Sequence, residues 1–411
     1  MTPLPTIPAS DTPAGVPLLD LNRHYAVLEM ELAAAVLRVC KSGRYVLGPD
    51  CAEFEKELAR YCQARHAVAC ASGSDALLLA LMACGVGPGD EVLLPSHTFL
   101  ATASAVARLG AKPVFVDIDP ATFNLDVRQL QPRITSATKA IIPVHLYGQC
   151  ADMPAVLEIA RQHRLAVVED AAQAIGAELA GRRAGSMGDI GCFSFYPTKN
   201  LGGFGDGGAV TANRDDLAQR LGLLHMHGMQ PRYYHQVLGI NSRLDSIQAA
   251  VLNVKLPHLD HWTAQRQACA RRYTQLFGKY GLDRLLGLPT EAADRRHVWN
   301  QYVVRVPEGK RDALRAHLAQ RKIGTEIYYP VPLHLQECFA YLGYAKGSLP
   351  ETERAAAETL ALPMFAELTE EEQALVVREV AGFFGPRHGL TGPKYLKRSS
   401  AQRPSESVER A

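Results

Sequence analysis

Seven short runs with strand character recur along the chain, separated in several places by segments with helical spacing. They are Ala67–Cys70, Glu91–Pro95, Pro113–Ile118, Ala140–His145, Leu165–Asp170, Gly191–Tyr196 and Gly208–Thr211. Most are continuously apolar rather than alternating, as strands covered on both faces are. Helical spacing occupies Ala76–Ala83, Thr102–Leu109 and Pro154–His163. This alternation predicts an α/β architecture, a mostly parallel seven-stranded sheet with helices on both sides. In such sheets ligands bind beyond the carboxyl ends of the strands, and the polar motifs of this chain fall at those ends.

The pattern changes after Asp245. A long helical stretch runs over roughly 244–280 with a kink expected at Pro257. A strand at Asn300–Val306, a helix at Lys310–Gln320 and helices at Glu351–Leu360 and Thr369–Phe384 follow. The length of 411 residues fits one large and one small domain. The expected division is a disordered segment 1–16, a large domain 17–255, a smaller α+β domain 256–385 and a disordered basic tail 386–411. The nine cysteines contain no CxxC spacing, and most read as buried thiols in a reducing, cytoplasmic setting. Met1–Gly15 lacks the apolar run of a signal peptide, and Ala76–Ala83 is too short to span a bilayer. The net charge of +2 hides an asymmetry, because from Pro386 onward six Lys/Arg stand against two Asp/Glu. The rest of the chain is therefore slightly acidic, which argues against a nucleic-acid surface.

Lys199 carries the clearest chemical signal. It follows Phe195-Tyr196-Pro197-Thr198 at the end of an apolar run and precedes the glycine-rich stretch Gly202–Gly208, with Ser194 five residues before it. Schiff-base chemistry needs an amine that loses its proton and is held rigidly beside a phosphate grip. Ala71-Ser72-Gly73-Ser74-Asp75 joins a strand to a helix and supplies free N–H groups suited to an anion; a plain N-cap at Ser74 or Asp75 is the alternative. Glu169-Asp170 ends another strand. A buried carboxylate there either holds a ring nitrogen protonated or caps a helix. Phe99 ends a third strand and either stacks on a ring or fills the core. Gly203–Gly208 matches GxGxxG, but it precedes a strand and is not a dinucleotide fingerprint. His225 with His227, and His258 with His261, lack a carboxylate or thiolate set, so no metal is expected.

In this order the motifs resemble the DegT/StrS family of sugar aminotransferases over roughly 17–385. The resemblance rests on Ser-Gly-Ser-Asp-Ala-Leu, Pro-Ser-His-Thr-Phe-Leu-Ala-Thr-Ala, Val-His-Leu-Tyr-Gly-Gln, Glu-Asp-Ala-Ala-Gln-Ala and Phe-Ser-Phe-Tyr-Pro-Thr-Lys-Asn-Leu-Gly. It extends to Gly239–Ala250 and Gly324–His334. It implies the aspartate-aminotransferase fold, that is, the type I fold of pyridoxal 5'-phosphate enzymes. It also implies roles residue by residue: Lys199 forms the Schiff base and shuttles the proton, Asp170 faces the pyridine nitrogen, Gln173 the ring hydroxyl and Phe99 the ring face. Gly73, Ser74 and Ser194 hold the phosphate, and Asn241 reaches the cofactor of a second subunit, which implies a homodimer with shared sites. Tyr328 and His334 fall on the substrate side; many members carry His-Tyr-Pro where this chain has Tyr328-Tyr329-Pro330.

The activity so implied is transfer of an amino group, by resemblance from L-glutamate, to a nucleotide-linked keto-deoxy sugar. The stretch Arg232–His235 and Asn241–Asp245 looks most like members acting at sugar position 3. Two alternatives remain. A non-enzymatic regulator or binding protein on the same scaffold would not need Lys199, Asp170, Ser194 and Asn241 together. The dehydratase branch replaces the lysine by histidine, which this chain does not. Neither nucleic acid nor a membrane is an expected partner.

Overall fold

The computed structural model describes residues 15–385. The expected disorder at 1–14 and 386–411 lies outside the described residues. Val16, assigned to the disordered segment from sequence, is instead fully buried and bridges in parallel to Ile323, its N–H donating to the Lys322 carbonyl at 2.9 Å.

The chain begins with helices α1 (Leu21–Ser42) and α2 (Pro49–Tyr61), and continues through β1 (His66–Cys70), α3 (Gly73–Ala83), β2 (Glu91–Pro95), α4 (Leu100–Arg108) and β3 (Lys112–Val116). Next come β4 (Thr138–Ile141), α5 (Met153–His163), β5 (Ala166–Asp170), the two-residue strands β6 (Glu178–Leu179) and β7 (Arg182–Arg183), β8 (Ile190–Ser194) and β9 (Gly208–Ala212). The remainder is α6 (Asp215–Leu224), α7 (Ser246–Lys255), α8 (Leu259–Lys279), β10 (Arg295–Arg296), β11 (Tyr302–Arg305), α9 (Arg311–Gln320), α10 (Pro350–Glu358), β12 (Thr359–Leu362) and α11 (Glu370–Phe384).

All seven apolar runs join one seven-stranded sheet, in the order β1-β9-β8-β5-β4-β2-β3. Its ladders are parallel except those of β9 with β1 and β8, so β9 runs against the other six. Six carboxyl ends and the amino end of β9 therefore share one edge. Alternation along the strands divides the core in two. Leu93, Ile141, Val167 and Phe193 face a cluster with α1, α2, α5 and α7, whereas Val92, Leu94, Ala140, Val168 and Cys192 face α3, α4 and α6.

A third cluster joins α8, α9 and α11 to the two-stranded sheet of β11 and β12. Helix α8, which lies wholly beyond the division proposed at residue 256, packs into both cores. Its Leu259 and Trp262 belong to the large cluster, and its Cys269, Tyr273 and Phe277 to the C-terminal one. The expected kink at Pro257 is a 3₁₀ turn, Leu256–His258, because proline offers no N–H to a continuing helix. The predicted helix ending at Leu360 stops at Glu358. Thr359–Leu362 is wholly buried and pairs antiparallel with β11, so the ladder overrides the helical spacing.

Glu169 shows how the sheet edge is locked. It has no solvent exposure, and its carboxylate accepts the N–H groups of Gly185 at 2.8 Å, Met187 at 2.7 Å and Gly188 at 2.6 Å. His145 Nδ1 accepts the Ala151 N–H at 3.1 Å, so Nε2 carries the ring proton and donates to Glu169 at 2.9 Å. Burial pushes the Glu169 carboxyl up, and these donors outweigh it, leaving the carboxyl below its ordinary range. Glu169→Gln turns one of the two accepting oxygens into a donor, set against either the Gly185 N–H and His145 Nε2 or the Met187 and Gly188 N–H groups. It is expected to cost about 3 kcal/mol in urea unfolding at pH 7. Because the folded-state pKa is depressed, the wild type loses this advantage as pH falls below about 4, so the two proteins converge in acid. Equal stabilities at pH 7 would refute this account.

Candidate active site

The shared edge gathers the polar motifs. Strand β8 ends at Ser194, and a turn closed by the Lys199 N–H on the Tyr196 carbonyl at 2.8 Å presents Lys199 beside the end of β5. The side chain is half-buried. Burial lowers its ammonium pKa to about 8, against the pull of the Asp170 charge, which favours the protonated form. A lysine so poised is a nucleophile near neutral pH.

Asp170 lies on β5 opposite Cys192 of β8 and is buried. Its Oδ2 accepts the Thr102 hydroxyl at 2.8 Å and its Oδ1 the Ala172 N–H at 3.2 Å. Among the described residues no cation stands within ion-pair distance of it. Burial raises its pKa, and the Thr102 and Ala172 bonds and the Lys199 charge only partly offset the rise. A buried carboxylate held by two donors and lacking a counter-ion suits a protonated heteroaromatic nitrogen. Thr102, itself bonded to Thr98 at 3.0 Å, was not singled out from sequence. Thr98 precedes the cap of α4 and Thr102 lies in its first turn, so no helical spacing in the sequence joined the two.

The candidate anion cradle is the turn that joins β1 to α3. The cap of α3 is Ser72, whose Oγ accepts the Asp75 N–H at 3.1 Å, and not Ser74 or Asp75 as the alternative reading had it. Ser72 is the residue in extended backbone, as a cap must be. Ser74 is left exposed at the first turn, where the leading N–H groups have no intrahelical partner. A Cβ on Gly73 would lie 2.6 Å from the Ser194 Cβ, so only glycine lets this turn close on β8. A Cβ on Gly208 would meet the Ser72 carbonyl at 2.3 Å, which packs β9 against the same turn. These contacts bring Gly73, Ser74 and Ser194 together. Ser242 Oγ accepts the Ala71 N–H at 3.2 Å and so holds the neighbouring, exposed Asn241 beside the cradle.

Phe99 is 57% exposed, with its ring centroid 5.9 Å from that of Tyr329. Gln173 is held at both ends: its Oε1 accepts the Tyr147 N–H at 2.7 Å and its Nε2 donates to the Tyr329 hydroxyl at 3.1 Å. The Tyr147 hydroxyl donates to the Tyr328 carbonyl and accepts from His97 Nε2 at 3.1 Å. Tyr329, rather than Tyr328, thus connects to the Asp170–Gln173 segment. His334 differs from its expected role. Its ring is buried, with Nδ1 2.8 Å from the Ser96 hydroxyl and Nε2 3.2 Å from Glu353. Both nitrogens are spent on tying the end of β2 to α10, which leaves none for a substrate.

An amine of lowered pKa, a buried carboxylate awaiting a cation and an anion cradle at a helix N-terminus define a Schiff-base lysine enzyme on an α/β sheet. The chain matches the DegT/DnrJ/EryC1/StrS aminotransferase family over residues 27–381 and belongs to it. It is 52% identical over 369 residues to the "pleiotropic regulatory protein" of Geobacillus stearothermophilus, an alignment covering 90% of this chain and 98% of that one. It is 48% identical over 368 residues to the dTDP-3-amino-3,4,6-trideoxy-α-D-glucose transaminase of Streptomyces venezuelae, covering 90% and 95% respectively. Its structure resembles the crystal structure of S. venezuelae DesV in complex with a ketimine intermediate, with a TM-score of 0.86 and 46% identity, covering 90% of this chain and 98% of that one.

The pKa of Lys199 sets a pH profile. The free amine is the reactive form, so the rate at which cofactor-free protein links to pyridoxal phosphate falls about tenfold per unit below about pH 8 and levels off above it. Asp170→Asn removes the charge that favours the ammonium, so its midpoint moves to lower pH. Stopped-flow absorbance measures both profiles, and an upward shift in the variant would contradict the geometry.

Proposed function

We propose that the chain transfers an amino group, from L-glutamate, to the C3 keto group of a deoxy sugar carried on a nucleotide diphosphate. The observation that carries this reading is the pairing of Lys199 with Asp170 beside the Gly73–Ser74–Ser194 cradle. Pyridoxal phosphate, when bound, supplies an electron sink for the carbon attached to the transferred nitrogen. Asp170 keeps the ring nitrogen protonated, and Thr102 fixes the carboxylate that does so. The first turn of α3 and the hydroxyls of Ser74 and Ser194 take the phosphate. Phe99 covers the ring and Gln173 faces its hydroxyl. The Lys199 amine would move the proton at the substrate carbon in both halves of the reaction. The position-3 assignment is supported by the S. venezuelae transaminase.

The Geobacillus relative's name favours a second reading, a regulator on the same scaffold. That reading leaves the Lys199–Asp170 pair without a task, since burying both groups costs stability that a binder has no reason to spend. Lysine rather than histidine at 199 separates the chain from the dehydratase branch. The reading extends to a homodimer whose Asn241 completes the neighbouring site. Exposed apolar side chains support it: Val27 at 72% and Met30 at 86% on α1, and Leu238 at 94% near Asn241. No helix among the described residues is long and apolar enough to cross a membrane. The nine unpaired cysteines support a cytoplasmic, reducing setting.

Two experiments test this reading. Purified protein is expected to show the visible band of a lysine–pyridoxal linkage and to aminate at least one nucleotide keto sugar in a panel with L-glutamate. Lys199→Ala should lose the band and at least about a thousandfold of turnover; normal amination by that variant would end the proposal. Sedimentation should give about twice the 44.8 kDa chain mass, and Met30→Asp with Leu238→Asp should shift it toward the monomer. An unshifted mass would remove these faces from the interface.

A further inference from the structure

One buried cation has no part in the chemistry above. Lys255, the last residue of α7, is 5% exposed, and its Nζ donates to the Gly202 carbonyl at 2.7 Å. Among the described residues no carboxylate lies within ion-pair distance of it. The Phe204 ring covers it, with Nζ 5.1 Å from the centroid. Burial alone lowers its pKa to about 8. An ammonium in such a place is expensive, and most core positions would take leucine or methionine.

Both groups that Lys255 touches belong to the loop that follows Lys199. Two helical turns earlier on the same helix, Gln248 Oε1 accepts the Phe204 N–H at 2.7 Å. A Cβ on Gly203 would lie 2.8 Å from Gln248 Oε1 and one on Gly205 3.0 Å from its Nε2, so the glycines let the amide lie flat against the loop. The loop also returns on itself. The Gly203 N–H donates to the Phe195 carbonyl at 2.8 Å, and a Cβ on Gly202 would meet the Pro197 carbonyl at 2.3 Å. Asn200 Nδ2 donates to the Val298 carbonyl at 2.9 Å. Lys199 therefore sits inside a closed loop, and α7 grips the far side of that loop by one carbonyl and one N–H. Lys255 and Lys199 both line one small cavity with His24, Trp262 and Glu367.

We propose that Lys255 and Gln248 are positioning residues that clamp the Pro197–Phe204 loop and thereby fix where the Lys199 amine stands. The inference rests on Lys199 being the reacting amine. The charge of Lys255 gives the Gly202 carbonyl a bond that water entering the cavity does not readily replace. A glycine-rich loop without such grips would wander, and displacing a reacting group by about 1 Å costs on the order of a hundredfold in rate.

The test uses Lys255→Met, which keeps the stem and removes the donor, and Gln248→Ala, which removes the other grip. Each variant is expected to lose about tenfold or more in turnover while KM for the amino donor changes little. The pH midpoint of the visible lysine–pyridoxal band should move by at least about half a unit, because the Lys199 environment has changed. A merely structural role would lower the melting temperature and leave that midpoint alone. If Lys255→Met fails to fold, Gln248→Ala decides by the same midpoint. Wild-type midpoint and turnover in the folded variants overturn the proposal. The comparison is repeated on cofactor-free protein as the rate at which an amine-reactive ester labels Lys199. This decides the clamp even if the wild type forms no pyridoxal linkage, an outcome that would sink the functional reading instead.

Discussion

Two adjacent carboxylates on one buried strand organise this molecule. Successive residues of a strand face opposite sides of the sheet, so Glu169 and Asp170 enter different environments although they share a peptide bond. Glu169 turns toward the Val167 side and receives His145 and three backbone N–H groups. Asp170 turns toward the Val168 side and receives one hydroxyl and one N–H. The first carboxylate is saturated and shifted toward its charged form, and the second is under-satisfied and shifted toward its neutral form. One acid is consumed by the fold, and the other is left with unspent capacity at the sheet edge where Lys199 emerges. A one-residue slip of β5 would exchange them and lose both functions.

This contrast explains what could and could not be read from the sequence. The seven strands were legible because both faces of the sheet are covered, which leaves continuous apolar runs in place of alternation. Lys199 was legible because proline and glycine punctuation isolates it from any helix or strand. The opposite course of β9 was not legible, since its residues look the same in either direction and only the ladders with β1 and β8 distinguish them. Strand β12 was hidden for a similar reason. Thr359 and Leu360, assigned to a helix from sequence, join a strand because β11 offers them a ladder. The sequence showed an acid pair at 169–170, but which acid served the fold depended on His145 and the 185–188 turn, both distant in the chain.

His334 and Tyr329 show the same limit at the site. A histidine after a proline-rich turn near the substrate side invites reading it as a substrate contact. Its partners, Ser96 and Glu353, lie 238 and 19 residues away and use both ring nitrogens. Tyr329 drew attention only as part of a departure from the family's pattern, yet its hydroxyl is the group that receives Gln173. Side chains serving as posts for other side chains carry little local signal, because their meaning lies in what they hold.

The two titratable lysines near the site carry this argument furthest. Burial brings each to about 8, but only Lys199 has a carboxylate charge opposing the shift. That counter-charge is the difference between the two amines: Asp170 favours the charged form of Lys199, and Lys255 meets no such charge. Its single bond to Gly202 and the aromatic ring above it make it a fixed donor, and α7 couples the Asn241 segment at its start to the Lys199 loop at its end. The helix thus links the residue proposed to complete a neighbouring subunit's site to the loop that carries Lys199 in its own.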